Sequence, residues 1–263
     1  MSIPKIIHYC WLGGNPKPES VLKCIASWKK YCPDYEIKEW NESNLDISMN
    51  AYTQQAYEAK AWGFVPDYLR LWIIYTYGGI YLDTDVQIIK SFDPLLQNAA
   101  FAGFERDTAD KEYGAFVNFG QGFGAEAGNP IIYEHMCLYE KLHYQNSDGT
   151  YNRVASPHYT TQVLEAHGLN RKKNEIQKLD GITVYSDDYF CPKSFATGFV
   201  KKSCNTYSIH QFDGSWYSDE EQEMRRKWEK EAKKDYWIHL PNRIARRILG
   251  NKRAEQLKAF LKK

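Results

Sequence analysis

Two aspartates, Asp83 and Asp85, close the apolar run Ile80 to Val86 (IYLDTDV). On an extended backbone, residues two apart face the same side, so both carboxylates point to one place. They repel there, and each has its proton affinity raised unless a cation lies between them. Oxygen ligands of this kind suit Mg2+ or Mn2+, which also bind diphosphate oxygens. For an isolated D-x-D, a solvated strand end before a turn is the simpler reading. Two more charged residues stand upstream: Asp67 and Arg70, at i and i+3 of one helical turn, precede the pair by one helix and the tight turn Gly78-Gly79.

The elements that must carry these groups are legible from pattern and punctuation. Lys5 to Leu12 (KIIHYCWL) reads as a buried first strand closed by Gly13-Gly14 and Asn15-Pro16. Glu19 to Tyr31 has Val21, Ile25 and Trp28 on one helical face, and Cys32-Pro33-Asp34 stops it. Tyr35 to Trp40 alternates as a second strand, so the chain opens as β-turn-α-β, the start of a parallel sheet. Helices are expected over 51–61 and from Pro66 to Tyr77, where Pro66 suits a first helical turn. Strands follow at 80–86 and 100–104, a Gly-rich loop at 118–129, helices at 130–144 and 159–166, and a late strand at 207–212. Beyond that the chain reads as helical and charged, broken once at Pro241.

The composition, 43% hydrophobic and 25% charged, is that of a globular protein and excludes extensive disorder. Aromatics reach 15%, which suits sugar faces and nucleobases as well as core packing. The net charge of +1 conceals an asymmetry: residues 224–263 hold 14 Lys/Arg against 4 Asp/Glu, and the remainder 20 against 29. A basic segment on an acidic body points to a surface-binding appendage, while the acidic body offers nucleic acid no groove. Six cysteines form no C-x-x-C pair, as in a reducing compartment. No charged leader precedes an apolar stretch at the N-terminus, and the uncharged run 71–82 is too short to span a bilayer. The expected location is cytoplasmic, or peripheral at the inner face of the membrane.

The combined pattern is more specific than D-x-D alone. Asp67-Tyr68-Leu69-Arg70, a helix, and Gly78-Gly79-Ile80-Tyr81-Leu82-Asp83-Thr84-Asp85 resemble glycosyltransferase family 32, with its D-x-x-R and G-G-x-Y-x-D-x-D. The family includes fungal mannosyltransferases and bacterial capsular-polysaccharide enzymes, and clostridial toxin glucosyltransferase domains share the motif distantly. Ile3 to Gly14 (IPKIIHYCWLGG) resembles its opening, and His210 to Trp216 (HQFDGSW) resembles its H-x-x-x-x-S-W close, so the resemblance covers roughly residues 3–217.

That resemblance implies a GT-A type, Rossmann-like α/β nucleotide-sugar-binding domain over 1–220, with a helical basic appendage over 221–263. It implies metal-dependent, retaining transfer of a hexose from a nucleotide diphosphate sugar to a glycan or lipid-linked acceptor. A UDP-sugar is favoured, because the matching Trp of the toxin relatives stacks on uracil; GDP-mannose is the alternative. Trp11 would stack on the base, and Ser215 and Trp216 would hold the diphosphate. Asp83 would contact ribose or sugar hydroxyls, and Asp85 would hold Mn2+ or Mg2+ with His210 and Asp83. Asp67 and Arg70 would bind the transferred sugar. Trp11 also fits core packing, and His210 a hydrogen-bonded strand position. The segment 118–130 fits the family's sugar loop only loosely: Asn118 and Gln121 either meet a sugar hydroxyl or end a strand. Past Pro241, Ile244, Ile248 and Leu249 interleave with Arg243, Arg246 and Arg247, the pattern of a basic helix on an anionic membrane.

Three rival classes stay in view. A D-x-D phosphatase needs D-x-D-x-[TV], but Gln87 occupies that place. A non-catalytic sugar-binding module would keep binding after chelation. A nucleic-acid-binding protein has only the basic segment in its favour.

Overall fold

The computed structural model describes residues 2–106, 114–214 and 217–260. In chain order the elements are β1 (Ile6–Cys10), α1 (Glu19–Tyr31), β2 (Glu36–Trp40), α2 (Ala51–Glu58), α3 (Pro66–Tyr77), β3 (Gly79–Tyr81), β4 (Val86–Ile88) and β5 (Ala100–Phe104). There follow β6 (Val117–Asn118), β7 (Phe123–Ala125), α4 (Pro130–Tyr139), α5 (Ser156–Ala166), β8 (Gln177–Leu179), β9 (Ile182–Tyr185), α6 (Asp187–Phe190), β10 (Ser208–His210) and α7 (Asp219–Phe260). Two units result: residues 1–193 with 200–216, and residues 194–199 with 217–263.

The first unit is α/β, as expected. Its main sheet runs β2-β1-β3-β7-β5-β9-β8, with β6 paired to β5. β1 lies parallel to both β2 and β3, and β5 is parallel to β9. Between these halves β7 runs antiparallel to β3 and to β5, so the sheet is mixed. A second, two-stranded sheet pairs β10 antiparallel with β4 and sets His210 opposite Val86. Two apolar layers cover the main sheet. One packs Tyr52, Leu69, Ile73, Ile132 and Leu164 from α2 to α5; the other packs Val21, Ile25 and Trp28 of α1 against Leu82, Val86 and Ile88.

Local chemistry explains how the site segment is launched. Pro66 occupies the first turn of α3, and Gly78 caps its end with φ 65°, its N–H donating to the Ile74 carbonyl at 2.8 Å. A side chain on Gly79, at φ 105°, would sit 2.8 Å from the Ile6 carbonyl and 2.9 Å from His8 Nε2. The helix therefore turns abruptly into β3 only because both residues lack a Cβ. Buried His8 clamps this turn. Its Nε2 lies 2.9 Å from the Gly78 carbonyl, and its Nδ1 accepts from Trp40 Nε1 at 3.0 Å. Both contacts are satisfied together only by a neutral ring protonated at Nε2.

Several expectations are corrected. The aspartates do not lie in a continuous strand 80–86: β3 ends at Tyr81, Thr84 and Asp85 form a turn, and pairing resumes at Val86. The 118–129 segment is not a loop throughout, because β6 and β7 occupy it and every residue from Val117 to Ala125 is buried. The fourth helix stops at Tyr139 rather than Tyr144.

In the second unit, Pro241 lies inside α7 and does not break it. The departure from helical geometry falls at Gly250, with φ 76°. A proline removes one hydrogen bond and a helix absorbs that by bending, whereas glycine enters the left-handed region at little cost. Phe195 packs 5.8 Å from Trp228, and Phe199 packs 5.0 Å from Tyr236. No helix among the described residues is long and apolar enough to cross a membrane.

Candidate active site

The turn after β3 delivers the two carboxylates, and the β10–β4 register delivers the imidazole. Ligand atoms of Asp83, Asp85 and His210 lie within 4.8 Å of one another. His210 Nε2 stands 3.3 Å from Asp85 Oδ1, and its buried Nδ1 has no hydrogen-bond partner. The other Asp85 oxygen accepts the Asp213 N–H at 2.9 Å, so the loop after β10 is tied to the second aspartate. Burial works against the Asp85 charge, but His210 and the Asp213 N–H more than offset it, and the carboxyl is held below its ordinary range. Burial likewise opposes a charged His210, and the Asp85 carboxylate reverses that and raises its proton affinity.

α3 brings a second charged group to the first aspartate. Arg70 Nη2 donates to Asp67 Oδ1 at 2.8 Å and lies 3.5 Å from Asp83 Oδ1. Arg70 and Asp67 are both buried, and the guanidinium sits 5.2 Å above the Tyr81 ring. Burial disfavours the charge on Arg70, but Asp83 and Asp67 overcome it and keep the guanidinium protonated. Burial pushes the Asp67 carboxyl up to about 7, against the pull of Arg70. The row Asp67–Arg70–Asp83 thus sets one guanidinium between two carboxyl groups beside the Asp83, Asp85, His210 cluster.

The buried hairpin forms the wall behind Asp83. The Asp83 N–H donates to the Gly120 carbonyl at 2.8 Å. A Cβ on Gly120 would fall 1.9 Å from Asp83 Oδ2 and 2.9 Å from Arg70 Nη1, so the backbone passes directly against the carboxylate. Asn118 and Gln121 are brought to this wall, where their amides bind the protein itself. Asn118 Nδ2 donates to Glu105 Oε1 and its Oδ1 accepts the Gly120 N–H, both at 2.6 Å. Gln121 Nε2 donates to the Gly103 and Phe104 carbonyls, while its buried Oε1 has no partner.

Trp11 stands just past β1, half-buried, with its indole N–H donating to the Asn15 carbonyl at 2.7 Å. Lys17 Nζ lies 5.6 Å from its ring and pairs with Glu39 at 2.8 Å. Trp28, by contrast, is fully buried and serves the core. Ser215 and Trp216 lie outside the described residues.

With this geometry in place, residues 18–102 match the family model described as "Glycosyltransferase sugar-binding region containing DXD motif". That segment is similar to the sugar-binding region of DXD glycosyltransferases. It spans α1 to β5 and so includes Asp67, Arg70, Asp83 and Asp85. The chain is also similar to two curated proteins of Schizosaccharomyces pombe. It is 33% identical over 108 residues to inositol phosphoceramide mannosyltransferase 3, covering 38% of this chain and 29% of that protein. It is 31% identical over 114 residues to inositol phosphoceramide mannosyltransferase 1, covering 38% of this chain and 33% of that one. The chain therefore matches about a third or less of the length of either relative. Among solved structures it is similar to PaToxG glycosyltransferase, at 23% identity and a TM-score of 0.49, covering 63% of this chain and 70% of that one.

Three contributors to the DXD region's surroundings were missed from sequence. Gly120 and Glu105 come to Asp83 through strand pairing distant in sequence, and Asp213 acts through its main chain. Only the run Asn118 to Gly124 (NFGQGFG) carried a signal, since glycines in a fully buried segment mark close backbone approach.

Proposed function

We propose that the chain is a metal-dependent glycosyltransferase that moves a hexose, with retention, from a nucleotide diphosphate sugar to a glycan or lipid-linked acceptor. The carrying observation is the convergence of Asp83, Asp85 and His210 beside the buried Asp67–Arg70 pair, inside and next to a DXD region. Two carboxylates with one imidazole fit Mn2+, and Mg2+ less closely because of the nitrogen ligand. Asp85 and His210 would hold the cation, with Asp83 beside them. Bound there, the cation supplies Lewis-acid stabilisation of the departing diphosphate. Arg70 holds Asp67 in one orientation, so that the pair presents fixed hydrogen-bonding groups to the hydroxyls of the transferred sugar. Asp83 reaches the ribose or sugar hydroxyls, and Trp11 offers its face to the base. The loop containing Ser215 and Trp216 completes the diphosphate contacts. The C1–O bond of the donor breaks with its electrons leaving on the diphosphate, and the acceptor hydroxyl attacks the same face, passing its proton to that phosphate.

A UDP-sugar suits the Trp11 match. A GDP-mannose donor is the second reading, favoured because the S. pombe relatives are named as mannosyltransferases. A thermal-shift panel of UDP- and GDP-sugars, with and without Mn2+, separates them, because a ligand of the native state raises the melting temperature. No shift with any nucleotide sugar and cation would defeat the proposal.

The second unit fits a peripheral position at an anionic membrane bearing the acceptor. Along α7 exposed Trp237, Ile238 and Ile244 accompany the excess of Lys and Arg. Deleting residues after Lys234 should abolish sedimentation with anionic liposomes and spare donor hydrolysis. Full-length protein that ignores such liposomes at low salt would rule out this role.

A further inference from the structure

A carboxylate kept out of water has to be fully hydrogen-bonded or it destabilises the fold, and Glu105, at the end of β5, is such a group. It belongs to no motif of the DXD region. Its Oε1 accepts Asn118 Nδ2 at 2.6 Å, and Asn118 Oδ1 accepts the Gly120 N–H at 2.6 Å. The same Gly120 accepts the Asp83 N–H through its carbonyl at 2.8 Å. The strands fix the first link in register: Gly103 and Phe104 of β5 pair with Asn118 and Val117 of β6, and the Glu105 N–H continues the ladder to the Phe116 carbonyl at 2.8 Å. Four residues from three parts of the chain thus form one hydrogen-bonded series ending on the first aspartate.

The geometry points to Glu105 and Asn118 as positioning residues that set the Asp83 carboxylate through Gly120. This rests on the reading of Asp83 as part of the donor and cation site. Asn118 fixes the Phe119–Gly120 peptide plane by holding the Gly120 N–H and so anchors the Cα from which the Gly120 carbonyl projects, and Glu105 fixes which way the Asn118 amide faces. The Gly120 carbonyl then holds the Asp83 backbone while its Cα leaves room for the carboxylate and nothing larger. The role of Glu105 is that of a hydrogen-bond acceptor, so its charge is dispensable.

Two variants break the series and one preserves it. Asn118→Ala removes both links. Asn118→Asp keeps the volume and the Gly120 contact but turns an oxygen toward Glu105. Glu105→Gln retains an acceptor for the Asn118 amide. Hydrogen exchange at the Asp83 amide should accelerate at least about tenfold in both Asn118 variants, while the amides of β1 keep wild-type rates. Mn2+ affinity, read by electron paramagnetic resonance with UDP or GDP present, should weaken about tenfold or more, as for other residues that orient metal ligands. Glu105→Gln should stay within about twofold of wild type in both measurements. Asn118 variants with wild-type exchange at Asp83 would overturn the inference, as would Glu105→Gln behaving like Asn118→Ala. If wild-type protein binds no Mn2+, the donor-and-cation reading fails, and exchange at Asp83 still decides the positioning role.

Discussion

Replacing Gly120 by alanine tests the placement of Asp83 with one carbon atom. The backbone of Gly120 lies outside the left-handed region, so alanine meets no conformational penalty there. The obstacle is contact. The added Cβ would lie 1.9 Å from Asp83 Oδ2 and 2.8 Å from its Cγ, where about 3.5 Å is the closest comfortable separation. Something has to move by more than about 1 Å. On one side is a strand wall buried from Val117 to Ala125; on the other is a part-exposed carboxylate at the edge of the site. The carboxylate yields, and in doing so leaves Arg70 and the shared position with Asp85 and His210. A displacement of this size at a reacting site costs about 100-fold in rate, equivalent to about 2.7 kcal/mol of barrier. Overpacking the wall adds about 1–3 kcal/mol of lost stability. The assay is donor hydrolysis at saturating nucleotide sugar and Mn2+, with the melting temperature of the same preparation. A variant turning over within about threefold of wild type would show that Asp83 works from another position, and the argument from convergence would fall.

Three further predictions examine the site and the turn that leads into it. Asp85→Asn should abolish transfer and donor hydrolysis with the fold retained, since the amide keeps an acceptor for the Asp213 N–H and loses the charge that fixes a cation; wild-type protein treated with EDTA should match it and recover on adding Mn2+. Trp11→Ala should weaken UDP or GDP binding about tenfold to hundredfold in calorimetry, the worth of base stacking, with a smaller melting loss than Trp28→Ala, for which core truncation costs about 3–5 kcal/mol; unchanged nucleotide affinity would return Trp11 to a packing role. His8 should make the protein acid-sensitive: burial holds its pKa at about 4 in the fold against 6.5 in the open chain. Its contribution is therefore complete above about pH 6.5 and lost as pH falls toward 4, about 3 kcal/mol in all. Denaturant unfolding at stepped pH should show this loss in wild type and not in His8→Gln, and parallel profiles would contradict the clamp.

The parts of this fold that local pattern controls were legible, and the parts that distant pairing controls were not. α1, α3 and β5 were expected at the bounds observed, because each is delimited by its own punctuation: Cys32-Pro33, Pro66 with Gly78-Gly79, and a short apolar run. The segment after Val117 misled because glycine has two uses. Its glycines read as turn formers, yet Gly124 lies in β7, where a Cβ would come 2.7 Å from Phe101 Cε1 and 2.9 Å from the Gly79 carbonyl. They are there to let two strands and a carboxylate approach, and nothing within the segment states which neighbours those are. The D-x-D pair shows the same division. Its chemistry was read from an extended strand with two side chains on one face, but the strand ends first, and a turn converges the carboxylates instead. The geometric requirement is two anionic oxygens at one point, and a turn meets it as well as a pleat. His210 joins them through the register of β10 on β4, which sets it opposite Val86 and so next to Asp85. A candidate cation site assembled from a turn and a cross-strand neighbour can be adjusted by either partner. That is the physical reason for expecting the hairpin behind Asp83, and not the aspartates alone, to govern how tightly the cation is held.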